Sequence, residues 1–171
     1  QTATIINDDA ATVAIAANVS QLEAITPQAF SVTLSNPVDV AVTVQFSTSN
    51  GTATTADNDY AGITSQTVMF PAGTTAAQTV NVTINNDNKV EADEVYNVSI
   101  GTLAASGRNV SLGTSTRTGT ILNDDNATVT LSGGIAQNEG NSGTTPYTFT
   151  ATLNNPVQGG FSANYTTNDG T

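Results

Sequence analysis

Val40-Ala41-Val42-Thr43-Val44-Gln45-Phe46 carries an apolar side chain at every second position. A period of two sends alternate side chains to opposite faces of an extended chain, so this stretch predicts a strand with one buried face. The same alternation recurs at Phe30, Val32 and Leu34, at Val80, Val82 and Ile84, and at Tyr96, Val98 and Ile100, with polar residues between. Ser35-Asn36-Pro37 and Ser49-Asn50-Gly51 punctuate these runs as turns. No stretch has a helical period. Short strands at this spacing predict an all-β chain folded as an antiparallel β-sandwich, about 100 residues per domain.

Composition agrees. The chain has 171 residues, among them 31 Thr and 19 Asn, and charged residues are 10% of the total. Thr, Val and Ile favour strands, while Asn, Asp and Gly favour turns. Lys89, Arg108 and Arg117 stand against 14 acidic residues, giving a net charge of −11. That balance argues against nucleic acid and against anionic membrane surfaces, both of which need a basic face. Without Cys or His there are no disulfides, thiol chemistry, imidazole metal sites or His-based catalytic triads. No apolar run approaches the ~18 residues of a membrane-spanning helix, so direct membrane insertion is not expected. The chain begins at Gln1 without a signal peptide and reads as a mature or excised segment. By association, this Thr- and Asn-rich, Lys-poor, Cys-free composition resembles that of long secreted bacterial surface proteins.

Self-comparison exposes a repeat. Thr4-Ile5-Ile6-Asn7-Asp8-Asp9 returns as Thr120-Ile121-Leu122-Asn123-Asp124-Asp125, a shift of 116. Ala11-Thr12-Val13 and Glu23 match Ala127-Thr128-Val129 and Glu139 at the same shift. Asn36-Pro37-Val38 then matches Asn155-Pro156-Val157, and Gly51-Thr52 matches Gly170-Thr171, both at 119, which places a three-residue insertion near residues 140–145. Residues 1–9 are therefore expected to be the last strand of one repeat, 10–125 a complete repeat, and 126–171 the first part of another. The alternative is that 126–171 form a different terminal structure. The expected strands of this last part are 128–131, 147–153 and 162–167.

The acidic residues cluster at Glu23, at Asp87, Glu91, Asp93 and Glu94, and at Asp124-Asp125. The latter two groups both follow outgoing strands, whose ends share a pole in a sandwich. Clustered carboxylates repel one another unless a cation neutralises them. An all-oxygen donor set without Cys or His suits Ca²⁺. The competing reading is a set of solvated turns.

The order of motifs in 10–125 resembles the Calx-beta domain, the calcium-binding β-sandwich first recognised in sodium–calcium exchangers and found in tandem in extracellular adhesins. The resemblance rests on a Glu near the first strands, Asn50-Gly51-Thr52-Ala53, Asp59-Tyr60, Phe70-Pro71-Ala72-Gly73, the strand 79–84, Asp87, Glu91-Ala92-Asp93-Glu94, Tyr96 and Gly119-Thr120-Ile121-Leu122-Asn123-Asp124-Asp125. It implies a seven-stranded immunoglobulin-like sandwich with calcium at one pole. Carried over by position, the implied ligands are Glu23, Asp87, Glu91, Glu94, Asp124 and Asp125, with the backbone carbonyl of Lys89. This sequence has Asn50 where the family has Asp, and Asn85, Asn86 and Asn88 where members are often acidic. Fewer ions than in the exchanger domains are expected, with affinities toward ~10⁻⁴–10⁻³ M.

The other signals have plain readings. Asp59-Tyr60 is expected to be a turn, with Asp59 capping backbone amides and Tyr60 packed inside. Asn-x-Ser/Thr sequons, as at Asn18, Asn81, Asn97, Asn109, Asn126 and Asn164, arise readily in so Asn- and Thr-rich a chain. No Gly-rich phosphate loop is present. The expected function is a non-enzymatic, calcium-stiffened repeat of an extracellular or cell-surface protein, an adhesin or filament. Its partners would be neighbouring repeats, its own kind, or a surface ligand. The alternative is an adhesive module that binds carbohydrate or a host protein, which the lack of Trp disfavours for a sugar.

Overall fold

The computed structural model describes residues 1–23, 27–134 and 136–170; Thr171, the end of the second Gly-Thr match, lies outside them. The chain divides into two compact units, Gln1–Asp87 with Asp93–Asn123, and Asn88–Ala92 with Asp124–Thr171. No helix occurs among the described residues.

The first unit contains β1 (Ala11–Ile15), β2 (Val19–Leu22), β3 (Gln28–Leu34), β4 (Val42–Asn50), β5 (Gln66–Phe70), β6 (Gln78–Val82), β7 (Glu94–Ala104), β8 (Val110–Leu112) and β9 (Thr116–Leu122). One sheet has the order β6-β3-β1-β8 and the other β2-β9-β7-β4-β5. The alternating residues behave as predicted: Phe30, Val32, Val42, Val44, Phe46, Val80, Val82, Tyr96 and Val98 are buried between the sheets. Phe30 of one sheet meets Phe46 and Tyr96 of the other at ring-centroid distances of 6.1 and 6.3 Å. Burying rings of this size supplies most of the driving force for holding the layers together.

Four details differ from the sequence expectation, the first being that residues 1–9, expected as a strand, form none. Val40 falls outside β4, which begins at Val42. Ile84 forms only an isolated antiparallel bridge with Tyr60. The strands number nine in this unit, and β1–β8 and β2–β9 pair in parallel. The two extra strands arise because the chain changes sheets between Ile15 and Val19 and again between Leu112 and Thr116. Ala16 N still donates to Ser31 O, while Arg117 donates to the Ile15 and Ala16 carbonyls and Asn18 Oδ1 accepts from Thr118 N. Those bonds satisfy the backbone at the crossover, where neither ladder can.

The registers bring several strand ends to one pole. Leu22 pairs with Leu122, Gln28 with Val82, Asn50 with Tyr96, and Glu94 with Ile121. The start of β1, the end of β3 and the start of β8 mark the opposite pole.

The second unit holds one antiparallel pair, β10 (Val129–Leu131) and β11 (Ala151–Leu153). Residues 147–150 and 162–167 are not strands. Two three-residue strands cannot cover an apolar face, and Leu131, Phe149, Phe161 and Tyr165 are exposed. Within this unit Val90 bridges Val157 in parallel. Val90 N donates to Pro156 O at 2.9 Å, and Gln158 N donates to Val90 O at 2.9 Å. Asn88–Ala92 thus groups with this unit, although its sequence position is inside 10–125.

Candidate metal centre

Glu23 directly follows β2, and its amide donates to Leu122 O at the end of β9, 3.1 Å away. That bond continues the β2–β9 ladder by one residue and fixes the Glu23 backbone at the pole. The side chain turns inward, leaving the residue only 5% exposed. Glu23 Oε1 accepts from Asp87 N at 3.0 Å, and a carboxylate oxygen of Asp87 lies within 4.8 Å of one of Glu23.

Asp87 is positioned by the segment leaving β6. Ala61 N donates to Thr83 O, Asn85 N to Asp59 O, and the Asn85 side-chain amide to Asn58 O. Asn58 sits at φ 68°, a left-handed conformation that Asn tolerates better than most residues. Asp59 Oδ2 in turn accepts from Thr54 N at 2.6 Å, the capping role expected of it. Tyr60 is buried and stacks on Tyr96 with centroids 4.4 Å apart.

The floor of the pole is a polar network. Tyr96 donates its hydroxyl to Gln28 Oε1 at 2.8 Å, and Gln28 Nε2 donates to Thr120 O at 2.6 Å. Gly119 makes room for it: a Cβ there would meet Tyr96 Cζ at 2.4 Å and Gln28 Oε1 at 2.5 Å. Burial pushes the Tyr96 hydroxyl well above its usual range, and Tyr60 rises for the same reason. Gly51 has a similar duty, because a Cβ there would lie 2.3 Å from Val95 O. Ala53 N donates to that carbonyl, and Val95 N donates to Thr52 Oγ1. Asn50, the residue that replaces the family's Asp, accepts from Thr55 N and from the Tyr60 hydroxyl. Its amide oxygen is therefore engaged in bracing the turn.

The structure brings Glu23 and Asp87 together, and puts Glu94 at the same pole as the buried first residue of β7. Lys89 and Glu91 belong to the second unit, where the Lys89 ammonium pairs with the Glu91 carboxylate. Asp124 and Asp125 open that unit's longer segment, two and three residues past Leu122. Asp93 is occupied differently from its acidic neighbours, since its Oδ1 accepts from Asn123 N at 3.0 Å and closes the end of β9. A further pair escaped the sequence reading. Asp57 and Asp59 carry carboxylate oxygens within 4.8 Å of each other, with Asp57 N donating to Thr54 Oγ1. Their i, i+2 spacing after a Gly-Thr-Ala-Thr turn was the available signal, but capping turns show the same pattern.

The donor chemistry fits calcium. Glu23 and Asp87 supply hard carboxylate oxygens on a braced backbone, among amide and carbonyl dipoles, with no thiolate or imidazole in the chain to favour another metal.

Comparison with known proteins gives the same direction. The 36 matching solved structures include the apo form of the Calx CBD1 domain, with a TM-score of 0.61 and 22% identity over 68% of this chain and 100% of that one. The chain is also similar to CBD12 from CALX1.2, with a TM-score of 0.60 and 22% identity over 67% of this chain, spanning 44% of that larger protein. The Calx CBD2 domain follows with a TM-score of 0.57 and 16% identity, over 64% of this chain and 85% of that one. At these identities the likeness speaks for the fold. No curated protein is close enough in sequence to match. A family model of the Calx-beta domain matches residues 7–126, and on that match, with the sandwich and its acidic pole, the chain belongs to the Calx-beta family of calcium-binding domains.

Proposed function

We propose that this chain is a calcium-binding structural repeat of an extracellular bacterial surface protein, an adhesin or filament, with neighbouring repeats as its partners and no catalysis of its own. The observation that carries the reading is Glu23. Glu23 is only 5% exposed and has a second carboxylate oxygen within 4.8 Å, an arrangement of like charges in a buried setting that favours a bound cation. A divalent cation relieves both the burial and the repulsion.

Glu23 and Asp87 would hold the ion first. The family pattern adds Glu91, Glu94, Asp124, Asp125 and the Lys89 carbonyl. The bound ion supplies charge neutralisation and no reaction chemistry. Glu23 ties the end of β9 to the segment after β6, so an ion there cross-links chain positions far apart in sequence. Calcium that binds the folded loops and not the unfolded chain adds about 2.7 kcal/mol of stability at a hundredfold excess over Kd. Lys89 competes in this scheme, because its ammonium already neutralises Glu91.

Titration calorimetry and thermal melts of the 171-residue chain test the reading. Calcium should release heat and raise Tm, and Glu23→Gln should abolish both at concentrations that saturate the parent. Lys89→Met should tighten binding several-fold. An absence of heat and of any melting shift at ~10 mM Ca²⁺, well above the range of extracellular modules, would remove the metal-binding reading.

A further inference from the structure

The turns at 35–38 and 154–157 are built alike. Thr12 N donates to the Ser35 side chain and Ser35 N returns to Thr12 O; Thr128 N donates to the Asn154 side chain and Asn154 N returns to Thr128 O. The Asn36 amide donates to Ala10 O at 2.7 Å, and the Asn155 amide donates to Asn126 O at 2.7 Å. Val13 pairs with Leu34, as Val129 pairs with Leu153. The turn in the second unit is occupied. Val90 lies parallel to Val157, bonded to Pro156 O and Gln158 N, and the Asn88 amide reaches Asn155 Oδ1.

The matching turn in the first unit opens onto a cleft of about 660 Å³, lined by Asn7, Asn36, Val38, Asp39, Arg108 and Asn109 among others. Pro37 O, the counterpart of the carbonyl that receives Val90 N, accepts no backbone hydrogen bond among the described residues. Asp39 and Arg108 put both signs of charge at the rim, and the occupying loop carries both signs in Lys89 and Glu91.

We infer that this cleft is the docking site for the preceding repeat's counterpart of Asn88–Ala92. Each repeat would insert the loop after its sixth strand against the Asn-Pro-Val turn of the next. The loop directly follows Asp87 and contains Lys89 and Glu91 of the family's ligand pattern, so the segment that makes the joint also borders the proposed calcium site. The inference rests on the tandem-array part of the proposed function and is independent of calcium binding.

Because the chain has no Cys, disulfide trapping is clean. Val90→Cys with Val157→Cys in the 171-residue chain should close an intramolecular disulfide, since bridged residues place their Cβ atoms within range. Failure of that pair would refute the pose and the inference with it. A longer chain with residues 10–116 added before Gln1 completes an upstream repeat. There, Val90→Cys in the added copy and Val38→Cys in the original should cross-link at least tenfold faster than the same Val90→Cys with Ser65→Cys. An unfolded upstream segment, seen as the loss of a second sandwich's worth of slow amides, would defeat the array reading and the inference together. A folded upstream repeat with no preference for Val38 over Ser65 would overturn the inference alone. Intermolecular cross-links from Val38→Cys would assign the cleft to a second copy and would also overturn it.

Discussion

β1 begins with Ala11-Thr12-Val13, and the same tripeptide, Ala127-Thr128-Val129, leads into β10. In the first unit Ala11, Val13 and Ile15 are buried, whereas Val129 and Leu131 in the second are exposed. Both pair with an antiparallel strand in the matching register, and that partner strand, β3 or β11, leads into the similar turn. What differs is the layer above. β1 has Phe30, Phe46 and Tyr96 packed between two sheets, and β10 has only β11. Alternation specifies which face a strand would bury, and burial itself needs the opposing sheet.

The most direct way to break the comparison is to delete one large side chain from each unit. Phe30→Ala should cost about 3–5 kcal/mol, because a fully buried ring at the junction of both sheets leaves a cavity. Phe161→Ala should change stability by no more than about 0.5 kcal/mol, the range for substitutions on exposed surface. Equilibrium denaturation by urea measures both. Equal losses would mean that the second unit has a core of its own.

A smaller effect is expected at Gly119, which has no counterpart in the second unit. A methyl group there collides with Tyr96 and with Gln28 Oε1, so Gly119→Ala should destabilise by about 1–3 kcal/mol through overpacking. The same change at Gly133, where a Cβ meets nothing within 4 Å, should be nearly silent. A Gly119→Ala variant with an unchanged denaturation midpoint would show that the Tyr96–Gln28 network yields easily.

The sandwich was legible because its strands obey a two-residue period, and the recurring Thr-Ile-Ile/Leu-Asn-Asp-Asp motif was legible as a shift. Glu23 was legible too, as an acid isolated before a strand run. The split of the first strand was not, because Ala16-Ala17-Asn18 contains no Gly or Pro and the crossover depends on Arg117, about a hundred residues away. The assignment of Asn88–Ala92 to the second unit was likewise hidden, since it depends on backbone bonds of Val90 that no side-chain pattern encodes. Nor could the sequence say that Asn50 braces Tyr60 or that Asp93 closes β9, since both are contacts between distant turns.

Alkaline pH sharpens the contrast further. Tyr96 and Tyr60 are held above their ordinary value of 10.0, mainly because burial penalises the phenolate. In the unfolded chain they ionise near that value. The folded state therefore keeps its full advantage below pH 10 and loses it progressively as pH rises above 10. Denaturation midpoints of the first unit should fall across that range. Tyr96→Phe should flatten the fall while lowering stability at neutral pH by about 1–3 kcal/mol, since Gln28 Oε1 loses its donor. A slope unchanged in Tyr96→Phe would place the alkaline sensitivity elsewhere.

The smallest expected effect lies at the one position where the two similar turns differ in charge. Asp39 in the first unit corresponds to Gln158 in the second. Arg108 donates to both Asp39 oxygens, at 2.6 and 2.8 Å, and these bonds hold the carboxyl below its usual range. A depressed carboxylate contributes stability above its unfolded value of 3.8 and loses it as pH falls through the folded one. Both partners are well exposed, so solvent screens the pair and long side chains lose freedom to form it. Asp39→Gln, which converts the first turn to the composition of the second, should leave the neutral-pH midpoint within the scatter of repeated curves. It should also remove a small part of the acid sensitivity at low ionic strength, and that part should vanish in 1 M salt. A large loss at neutral pH would show that the Asp39–Arg108 pair organises the cleft, and that the two turns depend on different interactions despite their matching backbone bonds.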